Sequence, residues 1–366
     1  MLASKSVPSV TLLERAGLWF LDSSIQEPTG GVARYYHSDS RRNARVSTEI
    51  TGYSVSFLCW AHQQTGDRAY LDAAIRAGRY LIDAWDDQTA TFPFEPVSDN
   101  AADRAYTYFF DTGIIIRGLL ALWRESGDSS FLEKAKEAAV AMAFDFHAGV
   151  AVHPILLLPE KEALDYEPRW SRSPGCYQLK SAMAWRDVAE AAAQPELNAP
   201  YERMLAYSLE TYREFLPGDS NPEKVMDRLH AYSYFLEALL PVASRPECAR
   251  ALAAGIATVG KLLRDIAPVF ERSDVNAQIL RVRLYAHHLG VVPLDYEAAA
   301  HEAAMAAQFQ SADPDPSHHG GFWFGRKGTI FLPFLNPVST AFCAQALTFW
   351  NQFQEGGFSA PITALV

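Results

Sequence analysis

The strongest constraint on this chain is an internal repeat. "TEITGYSVSFLCWAHQQTGDRAYLDAAIRAGRYLIDAW" opens on an acid, Glu49, runs apolar for about four helical turns, stops at Thr-Gly-Asp and restarts as an amphipathic helix. "FDTGIIIRGLLALWRESGDSSFLEKAKEAAVAMAFDF" follows the same plan from Asp111, with Ser-Gly-Asp as its turn. In each, the Gly tolerates the left-handed conformation that closes the first helix and the Asp caps the second. Both stretches therefore read as helical hairpins, and self-similarity of this kind governs the fold. Weaker copies begin at "GCYQLKSAMAW", "DRLHAYSYFLEALL" and "SDVNAQILRVRLYAHH". A lone apolar helix, "NPVSTAFCAQALTFWNQF", and a lone amphipathic one, "SVTLLERAGLWFLDSS", pair to complete a ring.

The hairpins alternate a largely apolar helix with an amphipathic one. A helix apolar on most sides is buried, and one with a polar face lies outside. This predicts an all-α protein, an (α/α)6 toroid or barrel of six helical hairpins in which the N-terminal helix pairs with the C-terminal helix. No Pro/Gly/Ser-rich linker divides the chain, so residues 1–366 are expected to form one domain. A hydrophobic content of 49% over 366 residues is enough for so large a core.

Charge and composition exclude several roles. A net charge of −11 argues against a nucleic-acid partner, because phosphates are met by clustered Lys and Arg. The four cysteines, Cys59, Cys176, Cys248 and Cys343, have no CxxC spacing. His287-His288 and His318-His319 are adjacent pairs, which do not face one side of a helix. Neither a metal nor a cofactor is therefore expected. No run approaches about 18 apolar residues, so no membrane insertion is expected. The opening stretch carries Glu14 and Arg15 where a signal peptide would be apolar, and the expected location is cytoplasmic.

The loops choose a working face. Connections from inner to outer helix are short, whereas those from outer to inner are long, near residues 25–47, 86–107, 147–175 and 310–335. Long loops in a compact domain are usually functional, and these gather where the inner helices begin. Glu49 and Asp111 stand at that end, where the helix dipole favours negative charge, and Thr48 or Asp111 is the expected N-cap. Equivalent positions elsewhere carry Tyr177, Gln178, Asp227, His230, Asp274, Gln278, Asn336 and Ser339. A ring of polar groups around an apolar barrel predicts a pocket. Tyr36, Tyr53, Tyr106, Tyr108, Trp170, Tyr177 and Trp323 would stack on sugar faces. Arg45, Arg169, Arg172 and Arg326, in an otherwise acidic chain, suit a carboxylate. With His318 and His319 beside them, these residues point to an oligo- or polysaccharide that contains uronic acid.

With "TEITGY" and "FFDTGIIIRGLLALW" opening its hairpins and aromatic loops between them, the chain resembles the six-hairpin glycosidase superfamily. Within it, the nearest likeness is to VpsJ-like proteins of polysaccharide-biosynthesis loci and to the helical domain of D-glucuronyl C5-epimerases. The resemblance implies an (α/α)6 barrel acting on glycans. The superfamily includes glycoside hydrolases, unsaturated-uronate hydrolases, polysaccharide lyases and sugar epimerases, so fold does not choose the reaction.

Hydrolysis needs two carboxyls flanking the scissile bond. Glu49 and Asp111 are the first pair, with Asp274 and Glu95 in reserve. Elimination or C5-epimerisation instead needs a base and an acid around an acidic C–H, with a cation on the adjacent carboxylate. Tyr106, Tyr108, Tyr177 and His230 could fill those roles, with Arg169 or Arg172 as the clamp. An N-acylglucosamine 2-epimerase-like reaction would use His230 with His318 or His319. A glycan-binding protein without turnover is the remaining alternative. Hydrolysis is the leading expectation, with Asp111 both a helix cap and a buried acid of raised pKa.

Overall fold

The computed structural model describes residues 11–96 and 104–366. Among these are twelve α-helices: α1 (Leu12–Asp22), α2 (Thr48–Thr65), α3 (Arg68–Ala84), α4 (Phe109–Ser126), α5 (Ser129–Asp145), α6 (Leu179–Ala191), α7 (Asn198–Phe215), α8 (Pro222–Leu239), α9 (Pro246–Ile266), α10 (Ser273–His288), α11 (Tyr296–Ala307) and α12 (Pro337–Gln354). The even-numbered helices form an inner ring, each packed on the next, and α12 closes back on α2. α1 packs on α12 and supplies the last outer helix. The (α/α)6 barrel expected from the repeat is the observed fold.

The hairpin turns form as their residues dictate. Gly66 has φ 72° and Gly127 φ 71°, each closing an inner helix. Asp67 then accepts from the Ala69 amide at 2.9 Å and Asp128 from Ser130 at 3.0 Å, starting α3 and α5. Inner and outer helices differ as predicted. In α10 every residue from Ser273 to Ala286 is buried, whereas α3 buries one stripe. The inner backbones also meet closely. A Cβ on Gly118 of α4 would lie 2.5 Å from the Gly52 carbonyl oxygen of α2, so only glycine permits this approach.

The long loops are less irregular than the sequence implied. Tyr36–His37 pairs with Arg42–Asn43 and with Phe334–Leu335, and Tyr106–Tyr108 pairs with Ile155–Leu157. Gly325–Lys327 pairs with Glu271–Arg272 and Ile330–Phe331. Chain laid over the barrel rim must satisfy its main-chain polar groups, and short antiparallel ladders do so. Hydroxyls at the inner-helix starts pin these loops. Thr51 accepts from the Val32 amide at 2.9 Å and Thr340 from the Phe322 amide at 2.9 Å.

No helix among the described residues is long and apolar enough to cross a membrane. All four cysteines are buried and free.

Candidate active site

Glu49 and Asp111 both lie in the first turn of neighbouring inner helices. Neither Thr48 nor Asp111 is the N-cap expected from sequence. Ser47 caps α2 by accepting from the Ile50 amide at 3.5 Å, while the Thr48 hydroxyl donates to the Pro93 carbonyl at 2.8 Å. Tyr108 occupies the cap position of α4 without a side-chain bond. Asp111, three positions past that cap, is thus released from capping. It is 7% exposed, and its Oδ2 has no partner.

Burial sets the chemistry of this pair. It pushes the Asp111 carboxyl well above the ordinary range, and charge on Glu49 pushes it further, against the pull of Arg34. Burial likewise raises Glu49 to about 7, with Arg34 opposing. Near neutral pH the two carboxyls therefore titrate as a pair that retains a proton.

Arg34 is anchored in turn. Its Nη1 donates to Glu95 Oε1 at 2.8 Å, and Arg45 Nε forms an ion pair with Glu95 Oε2 at 3.0 Å. Glu95, held in reserve as a catalytic acid, is instead the bridge between two arginines. The Arg34 guanidinium lies 5.3 Å from the Phe94 ring, which packs 5.1 Å from Tyr108.

Tyr108 and Tyr106 share one face of their strand, because Thr107 between them turns inward to meet Thr91 at 2.9 Å. Burial raises the Tyr108 phenol and nearby Asp111 adds to this, while Arg172 and Arg169 oppose it. Both arginines thus sit on this side of the mouth, Arg172 also paired with Glu167 at 2.6 Å. Tyr177 departs from its expected role. It is 2% exposed, donates to the Ser173 carbonyl at 3.2 Å and packs 5.1 Å from Trp170, so it supports the loop rather than presenting a ring.

His230 faces this group from α8. Its Nδ1 lies 2.8 Å from Gln278 Oε1, an acceptor, so the proton is on Nδ1 and the lone pair on Nε2. Burial, then the charge of Arg272, holds its pKa down at about 4. Arg272 donates to Asp274 at 3.0 and 2.6 Å and to Asp227 at 2.8 Å. Burial alone would raise Asp274, but Arg272 and His230 bring it below the ordinary range. The second reserve acid is thus a locked carboxylate, unsuited to proton donation.

Beneath these groups an aromatic floor crosses the barrel. Tyr53 stacks on Tyr234 at 6.5 Å, Phe110 lies 4.8 Å from Tyr234, and Phe342 lies 5.5 Å from Tyr53. Tyr234 also meets the His230 ring at 4.6 Å. Sequence reasoning missed Tyr234, although "HAYSY" places it one helical turn after His230 on the same face.

The remaining candidates are spread along the α12 side. His318 packs 5.3 Å from Tyr36 and 5.8 Å from Trp323, forming a second aromatic group. His319 Nδ1 lies 3.1 Å from the Asp313 carbonyl. Arg326 is engaged by Glu271 and Gln308 and lies over Phe309, so it offers no free cation. One further pattern was invisible in sequence. Tyr53 Oη, Asp111 Oδ2, Gln178 Nε2, Ser233 Oγ, Gln278 Nε2 and Ser339 Oγ are buried without partners, one on or just ahead of each inner helix.

No family model matches the chain, and no characterised protein matches it by sequence. Solved structures match by fold. A sugar epimerase from a ruminal bacterium aligns with TM-score 0.69 and 11% identity, over 92% of this chain and 96% of that one. An unsaturated glucuronyl hydrolase specific for heparin aligns with TM-score 0.66 and 10% identity, over 95% and 98%. A D-mannose isomerase gives TM-score 0.68 and 11% identity, over 94% and 99%. The chain shares the (α/α)6 fold of these structures.

Proposed function

We propose that this protein is a carbohydrate-processing enzyme that hydrolyses a glycosidic bond in an anionic, uronate-containing glycan, with Asp111 as general acid and Glu49 as general base. The observation that carries this reading is the pair itself: two carboxyls on adjacent inner helices, their pKa values raised by burial, one with an oxygen free of any protein partner. Asp111 gives its proton to the bridging oxygen as the bond to the anomeric carbon breaks. Glu49 takes a proton from the water whose oxygen joins that carbon, so one water is added per bond cleaved. The aromatic floor suits the apolar face of a sugar. Arg169 favours a carboxylated sugar, whereas Arg34 and Arg172 are already paired with Glu95 and Glu167.

One observation favours a second reading, sugar epimerisation. His230 is neutral, fixed through Nδ1 and carries a lone pair on Nε2, as a base removing a C–H proton must. The test is a screen of uronate-containing and neutral oligosaccharides with the protein, Glu49→Gln and Asp111→Asn. A mass gain of one water per cleavage, abolished in both variants, supports hydrolysis by the pair. Absorbance near 235 nm would indicate elimination, and solvent deuterium uptake lost in His230→Ala would indicate epimerisation. Binding that survives every substitution, with no product on any glycan, would mean a lectin-like protein.

A further inference from the structure

The end of the barrel opposite the mouth is closed by the chain itself. After α12, residues 358–366 run under the inner helices until Leu365 and Val366 are 2% and 3% exposed. The segment is held chiefly through its main chain. Tyr285 donates to the Pro361 carbonyl at 3.1 Å, Gln345 to Ala364 at 2.7 Å and Arg117 to Leu365 at 3.3 Å. Lys180 and Arg281 each donate to the Val366 carbonyl at 3.3 Å, and the Val366 amide donates back to Gln345 at 3.2 Å. These five side chains come from α4, α6, α10 and α12. At the near end Phe358 packs 5.3 Å from Tyr285 and 5.4 Å from Phe349.

Such an arrangement is what a peptide-binding site looks like: apolar anchors at both ends, with carbonyls read by fixed donors between them. The connection to α12 is short and exposed: residues 354–357 face solvent, and Gly356 turns the chain at φ 75°, its amide donating to the Phe353 carbonyl at 3.0 Å and the Gly357 amide to the Gln352 carbonyl at 2.7 Å. Nor is the segment fully packed. A cavity of about 90 Å³ remains beside it, lined in part by Trp60, Arg117 and Leu365, and the buried Trp60 Nε1 has no partner. Its position matters to the rest of the barrel. Arg281, bound to Val366, also binds Glu237 and lies 4.0 Å from the Phe342 ring, a member of the aromatic floor.

We infer that this end of the barrel is a binding site for an extended peptide, which residues 358–366 occupy as a separable ligand and not as an integral part of the core. When the segment leaves, Lys180 and Arg281 lose carbonyl partners and the underside of the floor is uncovered.

The test cuts the chain after it has folded. A protease site is placed at residues 355–357, the protein is cleaved, and native mass spectrometry and size exclusion report whether the nonapeptide FSAPITALV stays bound. Retention is expected, followed by release in mild urea. The emptied barrel should then rebind synthetic FSAPITALV saturably, with a melting temperature that climbs with peptide concentration. The same peptide carrying Leu365→Asp should bind at least tenfold more weakly, whereas Thr363→Ala, at an exposed position, should bind equally. If the emptied barrel unfolds, a labelled peptide is instead exchanged into the cleaved complex. Loss of the peptide on cleavage with no change in melting temperature, or failure of label to exchange or rebind, would overturn the inference.

Discussion

Glu49→Gln should make this protein more stable, and only where Glu49 of the unfolded chain is charged. Burial raises the folded-state pKa to about 7 from the ordinary 4.5. At 1.36 kcal/mol per pKa unit, that difference is about 3 kcal/mol at most. The sign follows from proton counts. Below pH 4.5 both folded and unfolded chains hold the proton, and Glu49 contributes no difference. Between pH 4.5 and 7 the unfolded chain releases it while the folded chain keeps it, so the wild type loses stability as pH rises. Above pH 7 the full penalty is present. Glutamine matches the neutral acid in shape and never ionises. The variant should therefore equal the wild type at pH 4, gain progressively through pH 6, and exceed it by up to about 3 kcal/mol at pH 8, while losing turnover. Urea unfolding at those three pH values measures it. A difference that does not change with pH, or a variant less stable at pH 8, would refute the claim that Glu49 is held against its charge.

Three other outcomes follow from the geometry. Gly118→Ala forces a methyl group to within 2.5 Å of the Gly52 carbonyl, and α2 and α4 must part. A loss of about 1–3 kcal/mol by thermal unfolding is expected, with reduced turnover as Glu49 and Asp111 separate. Arg272→Met strands the buried Asp274 and should cost about 3–5 kcal/mol near neutral pH, with much of it recovered by adding Asp274→Asn. In nitrogen-detected NMR, His230 should carry its proton on Nδ1 at pH 7 and gain a second near pH 4; a titration near 6.5 would contradict its burial beside Arg272.

The architecture was legible because it rests on local signals repeated many times. Thr-Gly-Asp and Ser-Gly-Asp fixed two turns outright, and apolar against amphipathic periodicity separated inner from outer helices. Position along a helix was readable for Glu49 and Asp111, which lie in first turns, but not for His230, expected near a helix start and standing instead in the middle of α8 (Pro222–Leu239). Partnership was not legible. Helical periodicity does not say that Glu95 joins Arg34 to Arg45, that Arg272 folds onto Asp274 two residues on, or that Tyr177 turns under Trp170, because each contact depends on how a loop is laid over the barrel rim. The tail escaped notice for a similar reason. Residues 358–366 are held through carbonyls, which every sequence has, by Lys180 and Arg281, charges that looked misplaced within apolar helices.

The acid at the mouth of an apolar helix is finally a contest between two effects of opposite sign. The helix N-terminus favours a carboxylate by about 0.3–1 kcal/mol, reaching ~2 kcal/mol in partly buried sites. Burial opposes this, and at Glu49 the net shift of up to about 3 kcal/mol toward the neutral form means that desolvation wins even with Arg34 nearby. At Asp111 a neighbouring carboxyl adds to it. A helix with less apolar surroundings would leave both groups as ordinary anions, with no proton to give at neutral pH. The inner ring supplies more than a scaffold in this protein: its apolar character is what raises the pKa of two first-turn carboxyls, as their proposed roles require. Moving either one a turn outward, toward water, should abolish that rise while leaving the fold intact.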